Sequence, residues 1–190
     1  MADQNNNTSS VIYRLAWIFY LVLALAGALW IGWRKGRIGL GEFIDPADWW
    51  LDLGLGLSAG LFLLGLWALA RRTFGTAKRL ERQLARLLGP LETGEVVGLA
   101  VLSGFAEELF FRGAVQGAWG WFPATVLFAL LHTGPGRSYR VWTAFAAVAG
   151  LVLAGLMVWR QNLLAPVVAH ALVNGINLGK LARSSDESLC

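Results

Sequence analysis

Long apolar runs alternate with short polar connections along most of this chain. Apolar stretches cover residues 11–33, 49–70, 95–119, 139–159 and 163–181, and a shorter one covers 124–132 before Thr133-Gly134-Pro135-Gly136 breaks it. A helix rises about 1.5 Å per residue, so about 20 apolar residues cross a bilayer, and most of these runs are that long. The connections are polar or turn-forming: a Gly-containing loop with Pro46, the aromatic turn Trp119-Gly120-Trp121-Phe122-Pro123, and Arg160-Gln161-Asn162. Residues 71–89 follow a different pattern. There Leu80, Leu84, Leu87 and Leu88 recur at helical spacing beside Lys78, Arg79, Arg82 and Arg86, and Gly89-Pro90 ends the run. That pattern predicts an amphipathic helix at the membrane surface with its basic residues toward headgroups, although a solvated connector helix fits it nearly as well. The expected fold is all-α: a polytopic transmembrane helical bundle of about six spans plus one basic amphipathic interfacial helix.

Residues 1–10 are polar and Asn-rich and read as a disordered tail, and residues 183–190 read as a second polar tail. Between them the expected organisation is two N-terminal spans with the basic helix (11–93), then a four-helix intramembrane core (94–182). Ala24-Leu25-Ala26 resembles a signal-peptide cleavage site, but the apolar run continues past it and the preceding tail has one basic residue, Arg14.

Composition agrees with this reading. Charged residues are only 15% of the chain, hydrophobic residues 56%, and the mean hydropathy is +0.55, against about 25% charged in soluble domains. A net charge of +4 raises the question of nucleic acid, but the basic residues lie in connections between apolar runs, as in membrane proteins, so no nucleic-acid partner is expected. With six spans both termini share one side. On that side lie Arg14, Arg71, Arg72, Lys78, Arg79, Arg82, Arg86, Arg137, Arg140, Lys180 and Arg183, against Arg34, Lys35, Arg37 and Arg160 on the other. The positive-inside rule then puts both termini in the cytoplasm. Cys190 is the single cysteine, so no intrachain disulfide can form.

One apolar run carries an anomaly, Ser103-Gly104-Phe105-Ala106-Glu107-Glu108-Leu109-Phe110-Phe111-Arg112. Ionisable groups at the centre of a span cost about 2.5–3.5 kcal/mol each on insertion scales, so they are paired or used. Adjacent helical residues point about 100° apart, so Glu107 and Glu108 face different surroundings. Glu108 stands four residues before Arg112, the favourable order for an ion pair, which assigns Glu108 and Arg112 to structural support. Glu107 lacks such a partner, and its face carries the small residues Ser103, Gly104 and Ala114, which admit a neighbouring helix. That leaves Glu107 as the candidate general base or metal ligand. The alternative is that all three charged residues only hold helices together.

The only histidines, His132 and His170, lie in later apolar runs, and His170, Asn174 and Asn177 fall near one helical stripe. Glu107, His132, His170 and Asn174 form a set suited to hydrolysis of an amide. In it a carboxylate activates water while His and Asn donors stabilise the oxyanion. Glu107, His132 and His170 could equally hold a catalytic divalent ion such as zinc with an open water position. Both versions, with no cofactor or with one metal, fit the sequence. No H-E-x-x-H stretch is present.

These motifs resemble those of the CAAX prenyl protease type II family, also called the CPBP or Abi family of intramembrane proteases. That family carries an E-E-x-x-x-R helix, an F-x-x-x-H helix and an H-x-x-x-N helix, which match Glu107-Glu108…Arg112, Phe128…His132 and His170…Asn174 in order. The resemblance covers about residues 96–178. It implies a helical intramembrane endopeptidase with its site in a cavity open to the cytoplasm. Glu107 and His132 would then activate water, and His170 and Asn174 would stabilise the oxyanion. The implied partners are membrane lipids and a peptide or protein substrate with a membrane-associated segment, prenylated or bacteriocin-like. The implied place is a bacterial inner (plasma) membrane. From other classes, a small proton-coupled transporter relaying protons through Glu107 and the histidines, or a non-catalytic scaffold or immunity protein, competes with this reading. The absence of an internal repeat counts against the transporter.

Overall fold

In apolar surroundings every backbone N–H and C=O must be satisfied internally, and the long apolar runs meet that demand as helices. The computed structural model describes the backbone of residues 2–187 and the side chains of residues 10–184. The elements are α1 (Ala2–Lys35), a 3₁₀ turn (Leu40–Glu42), α2 (Trp49–Thr73), α3 (Gly75–Leu88), α4 (Thr93–Glu108), a π-helical stretch (Leu109–Gln116), α5 (Gly117–Trp119), α6 (Trp121–Leu131), α7 (Arg137–Arg160) and α8 (Leu164–Glu187). The helix α1 extends through the polar N-terminal residues expected to be a disordered tail, and α8 runs into the C-terminal one. Once a long apolar helix has nucleated, each further residue adds a hydrogen bond at little cost. Residues 188–190 of the expected C-terminal tail lie outside the described residues.

Close approaches at glycine fix the helix directions. A Cβ on Gly98 would meet Trp17, one on Gly27 would meet Phe110 and one on Gly113 would meet Ile31, so α1 runs parallel to the α4–π helix. Gly104 faces Ala171, Gly175 faces Ala100 and Gly179 faces Val96, so α8 runs antiparallel to α4. Gly56 and Gly60 lie against Ala165 to Leu172, with α2 and α8 parallel, and Gly150 packs on Thr125 and Phe128, with α6 and α7 antiparallel. Small residues let these backbones come close where no hydrophobic force drives helices together in lipid. The result is a bundle whose crossings alternate in direction, with α3 capping the end where α2 and α8 finish and α4 and α7 begin.

Among the described residues, three helices are long and apolar enough to cross a membrane: Ser10–Lys35, Trp49–Thr73 and Arg137–Arg160. The expected number of six is therefore not reached on length and apolarity. The remaining crossings fall short for identifiable reasons. Helix α6 has only 11 residues and α4 only 16 before the π-helical stretch, and α8 carries polar side chains described below. Exposed apolar residues cover the outer faces of α1 and α2, among them Leu21, Val22, Leu25, Leu61 and Phe62. An apolar surface of that extent is what a lipid-facing wall requires. At the end away from α3, Trp33, Trp49, Trp50, Trp119, Trp121 and Trp159 are all exposed, the placement of an interfacial aromatic belt.

The basic helix departs from a flat surface helix. In α3, Ala77 and Leu80 are buried against Trp67, Tyr139 and Trp142. Glu81 accepts a hydrogen bond from Trp67 Nε1 at 2.9 Å and pairs with Arg71 at 2.7 Å. Its leucine face is thus docked on protein, while Lys78, Arg79, Arg82 and Arg86 remain exposed. At the opposite end, Asp52 is fully buried, bonded to Arg160 Nε and accepting from Asn162 Nδ2 at 2.8 Å. Asn162 Oδ1 in turn accepts the Leu164 N–H at the start of α8. This cluster ties the start of α2 to the α7–α8 turn.

Candidate functional site

Helix α4 supplies Glu107 and Glu108, and the backbone changes to π-helical hydrogen bonding immediately after them. Such stretches are rare and concentrate at functional sites. The wider turn keeps the expected pair: Arg112 Nη1 donates to Glu108 Oε1 at 2.9 Å, with both side chains buried. Arg112 also donates to the Gly150 carbonyl at 3.3 Å, and its guanidinium lies 4.4 Å from the centre of the Phe128 ring. Cation–π contact and charge pairing together make a buried arginine tolerable.

Helix α8 reaches this brace because Gly104 has no side chain. A Cβ there would lie 2.9 Å from the Ala171 backbone nitrogen. That approach puts His170 Nδ1 2.6 Å from Glu108 Oε1. The second Glu108 oxygen, Oε2, is buried without a protein partner among the described residues. One turn on, Asn174 Nδ2 donates to Ser103 Oγ at 2.8 Å, which uses one of its two amide hydrogens.

Helix α6 delivers His132 at its C-terminal end. His132 Nδ1 lies 2.7 Å from the Phe128 carbonyl, and so carries the proton of that bond and leaves Nε2 as the lone-pair nitrogen. The Trp142 ring stands edge-on to the imidazole at 5.3 Å, and Thr143 Oγ1 donates to the His132 carbonyl. Phe128 also touches both imidazoles, with ring centres 4.5 Å from His132 and 5.8 Å from His170.

The result is a convergence on Glu107. Its Oε2 lies 3.9 Å from His132 Nε2 and 4.0 Å from His170 Nε2, with the carboxyl almost fully buried. All three line one cavity of about 300 Å³, together with Ser103, Asn174 and Tyr20. The Tyr20 hydroxyl, from α1, faces the Glu107 carboxylate. Apart from Glu81 of α3 and Asn177 of α8, the rest of the wall is apolar, from α2, α7, α8 and the leucine face of α3.

The donor chemistry of Glu107, His132 and His170 suits a divalent ion, and the Glu108 carboxylate behind His170 is the support such ligands receive. The spacing does not. Zinc donors at about 2.0–2.2 Å from the ion sit about 3.3 Å from one another in a tetrahedral shell, shorter than both gaps here. Among the described residues no group of three or more His, Cys, Asp or Glu side chains could hold a metal. A water molecule bridges such gaps: two hydrogen bonds of about 2.8 Å meeting near a right angle span about 4 Å.

All the residues singled out in the sequence are thus brought together, with two refinements. Glu108 braces His170 as well as Arg112, and Asn174 is partly engaged by Ser103. Sequence reasoning missed the contributions of Ser103 and Tyr20, and the second role of Phe128, whose carbonyl and ring both hold His132. The F-x-x-x-H spacing was the available signal for Phe128. For Tyr20 and the remote Asp52–Arg160 pair, sequence separation hid the contact.

Comparison with known proteins covers the same part of the chain. Residues 90–176 match the family described as type II CAAX prenyl endopeptidase Rce1-like. A curated relative, the uncharacterised protein YpbD of Bacillus subtilis (strain 168), is 36% identical over 83 residues, which is 43% of this chain and 42% of that protein. The match thus spans less than half of that relative's length. No solved structure gives a significant match. The resemblance carried by the three motifs holds: residues 90–176 are similar to the Rce1-like family. With its long apolar helices, this marks it as an integral membrane protein.

Proposed function

We propose, from that resemblance, that the protein is an intramembrane endopeptidase that cleaves a peptide bond of a membrane-associated substrate with water activated by Glu107. The observation that carries the reading is the placement of one carboxylate oxygen at 3.9 and 4.0 Å from two imidazole nitrogens inside a largely apolar cavity. A water held between Glu107 and His132 Nε2 loses a proton to Glu107 as its oxygen bonds to the substrate carbonyl carbon. The resulting oxyanion is met by His170, protonated on both nitrogens against Glu108, and by the second amide hydrogen of Asn174. Glu107 then passes its proton to the leaving nitrogen as the C–N bond breaks. No step requires a metal.

In this reading both termini and α3 face the cytoplasm of a bacterial inner membrane, because exposed basic residues gather at the α3 end. The substrate's apolar anchor occupies the leucine-lined part of the cavity and its peptide reaches Glu107. The test is digestion of a library of membrane-anchored peptides by the purified protein in nanodiscs, in ¹⁸O-labelled water. The expected product carries one ¹⁸O in its new carboxylate, with the rate unchanged by chelator. Cleavage abolished by chelator and restored by zinc would overturn the metal-free mechanism. No cleavage of any library member would overturn the protease assignment.

A further inference from the structure

The helix α3 lies outside the family match and has two faces of opposite character. Inward, Leu80, Leu84 and Leu88 line the cavity that contains Glu107, and Leu80 is 1% exposed. Outward, Lys78, Arg79, Arg82 and Arg86 are exposed. Among the described residues none of these four forms an ion pair, and Arg86 Nε donates only to the Arg82 backbone carbonyl. The one acid on the helix, Glu81, is turned to α2, where it holds Trp67 and Arg71. The flanks carry exposed apolar side chains, Phe74 at 53% and Leu87 at 58%, and Leu87 also borders the cavity. Four cations without counter-charge, with apolar groups at both ends of the helix, match an anionic bilayer surface: phosphate headgroups beside the cations and acyl chains beside Phe74 and Leu87.

We infer that α3 is a binding surface for anionic phospholipid headgroups, and that headgroups on its outer face hold its inner face in place as a wall of the cavity. The link is mechanical. The helix is joined to its neighbours through Phe74 on one side and Gly89-Pro90 on the other, so one short amphipathic segment carries both faces. Where anionic lipid is lacking, the four cations repel one another, and only the Glu81 contacts and the leucine packing keep α3 docked. The lipid surface stands on charge and exposure alone; its effect on turnover rests on the protease reading above.

The experiment uses the full chain with Cys190→Ser and Gln83→Cys, spin-labelled on the exposed face of α3. It is placed in nanodiscs of phosphatidylcholine alone or of phosphatidylcholine with phosphatidylglycerol. Anionic lipid is expected to slow the label's motion and raise the rate of peptide cleavage. K78Q/R79Q/R82Q/R86Q is expected to remove both effects, each neutralised residue lowering the preference for anionic lipid about fivefold at low salt. High salt should weaken the preference in the unaltered chain, because the screening length falls to about 3 Å at 1 M. Label motion identical in the two lipids would overturn the inference. So would equal ordering by soluble glycerol phosphate added to phosphatidylcholine discs, which would make the surface a general anion site. Lipid-dependent ordering in a protein that cleaves nothing would leave the lipid surface standing and remove the protease reading.

Discussion

Glu108 Oε1 accepts from two cation-forming side chains at once, Arg112 Nη1 at 2.9 Å and His170 Nδ1 at 2.6 Å. One carboxylate therefore neutralises a buried arginine and orients the imidazole across the cavity from Glu107. Breaking a buried pair by removing one charge leaves the other uncompensated, at a cost of about 3–5 kcal/mol. Glu108→Gln is expected to lower the melting temperature in detergent markedly and to abolish cleavage. Thermal denaturation followed by circular dichroism checks the first. A variant that melts with the wild type would show that Arg112 is neutralised elsewhere.

The approach of α8 to α4 depends on Gly104. Its would-be Cβ meets backbone atoms of Ala171, which cannot swing aside as a side chain could. Gly104→Ala is expected to destabilise by about 1–3 kcal/mol, the range for overpacking. It should also reduce turnover, since His170 and Asn174 ride on the displaced helix. Gly54→Ala in α2, where nothing lies within 4 Å, is the control and should melt with the wild type.

The Asp52–Arg160–Asn162 cluster sits at the far end of the bundle from α3, and its expected role is in stability. Asp52→Asn removes the buried carboxylate bonded to Arg160, leaving only Asp45 and Asp48 at 3.9 Å, and should lower the melting temperature while leaving the rate per folded molecule unchanged below the transition. Asp52→Asn with Arg160→Gln should recover part of the loss, because removing both charges leaves neither unpaired. Thermal melts of the single and double variants decide it.

Much of this architecture was legible in the sequence. Apolar periodicity gave the helices, and the four-residue spacings of Glu108–Arg112 and His170–Asn174 gave faces that the structure retains. The assignment of Glu107 and Glu108 to different surroundings followed from helix geometry and agrees with their separate contacts. What was not legible depends on partners distant in sequence. His170 and Glu108 lie 62 positions apart, and Asp52 and Arg160 lie 108 apart. The π-helical stretch also escaped, because hydrophobic spacing does not separate an i→i+5 turn from an i→i+4 one over eight residues. The docking of α3 was half readable: its leucine stripe announced a buried face, but lipid and protein are equally apolar partners for leucine.

The central claim is that Glu107 is the group that takes the proton from water. It is tested most directly by single-turnover cleavage of a membrane-anchored peptide by the wild type and by Glu107→Gln in the same nanodiscs, with matched melting curves. The substituted amide keeps the shape and the hydrogen-bonding reach of the carboxylate but cannot accept the proton. The expected result is a rate lower by about 10²–10⁴-fold, the usual contribution of a general base, with peptide binding and thermal stability retained. Cleavage by Glu107→Gln at the wild-type rate would contradict the account.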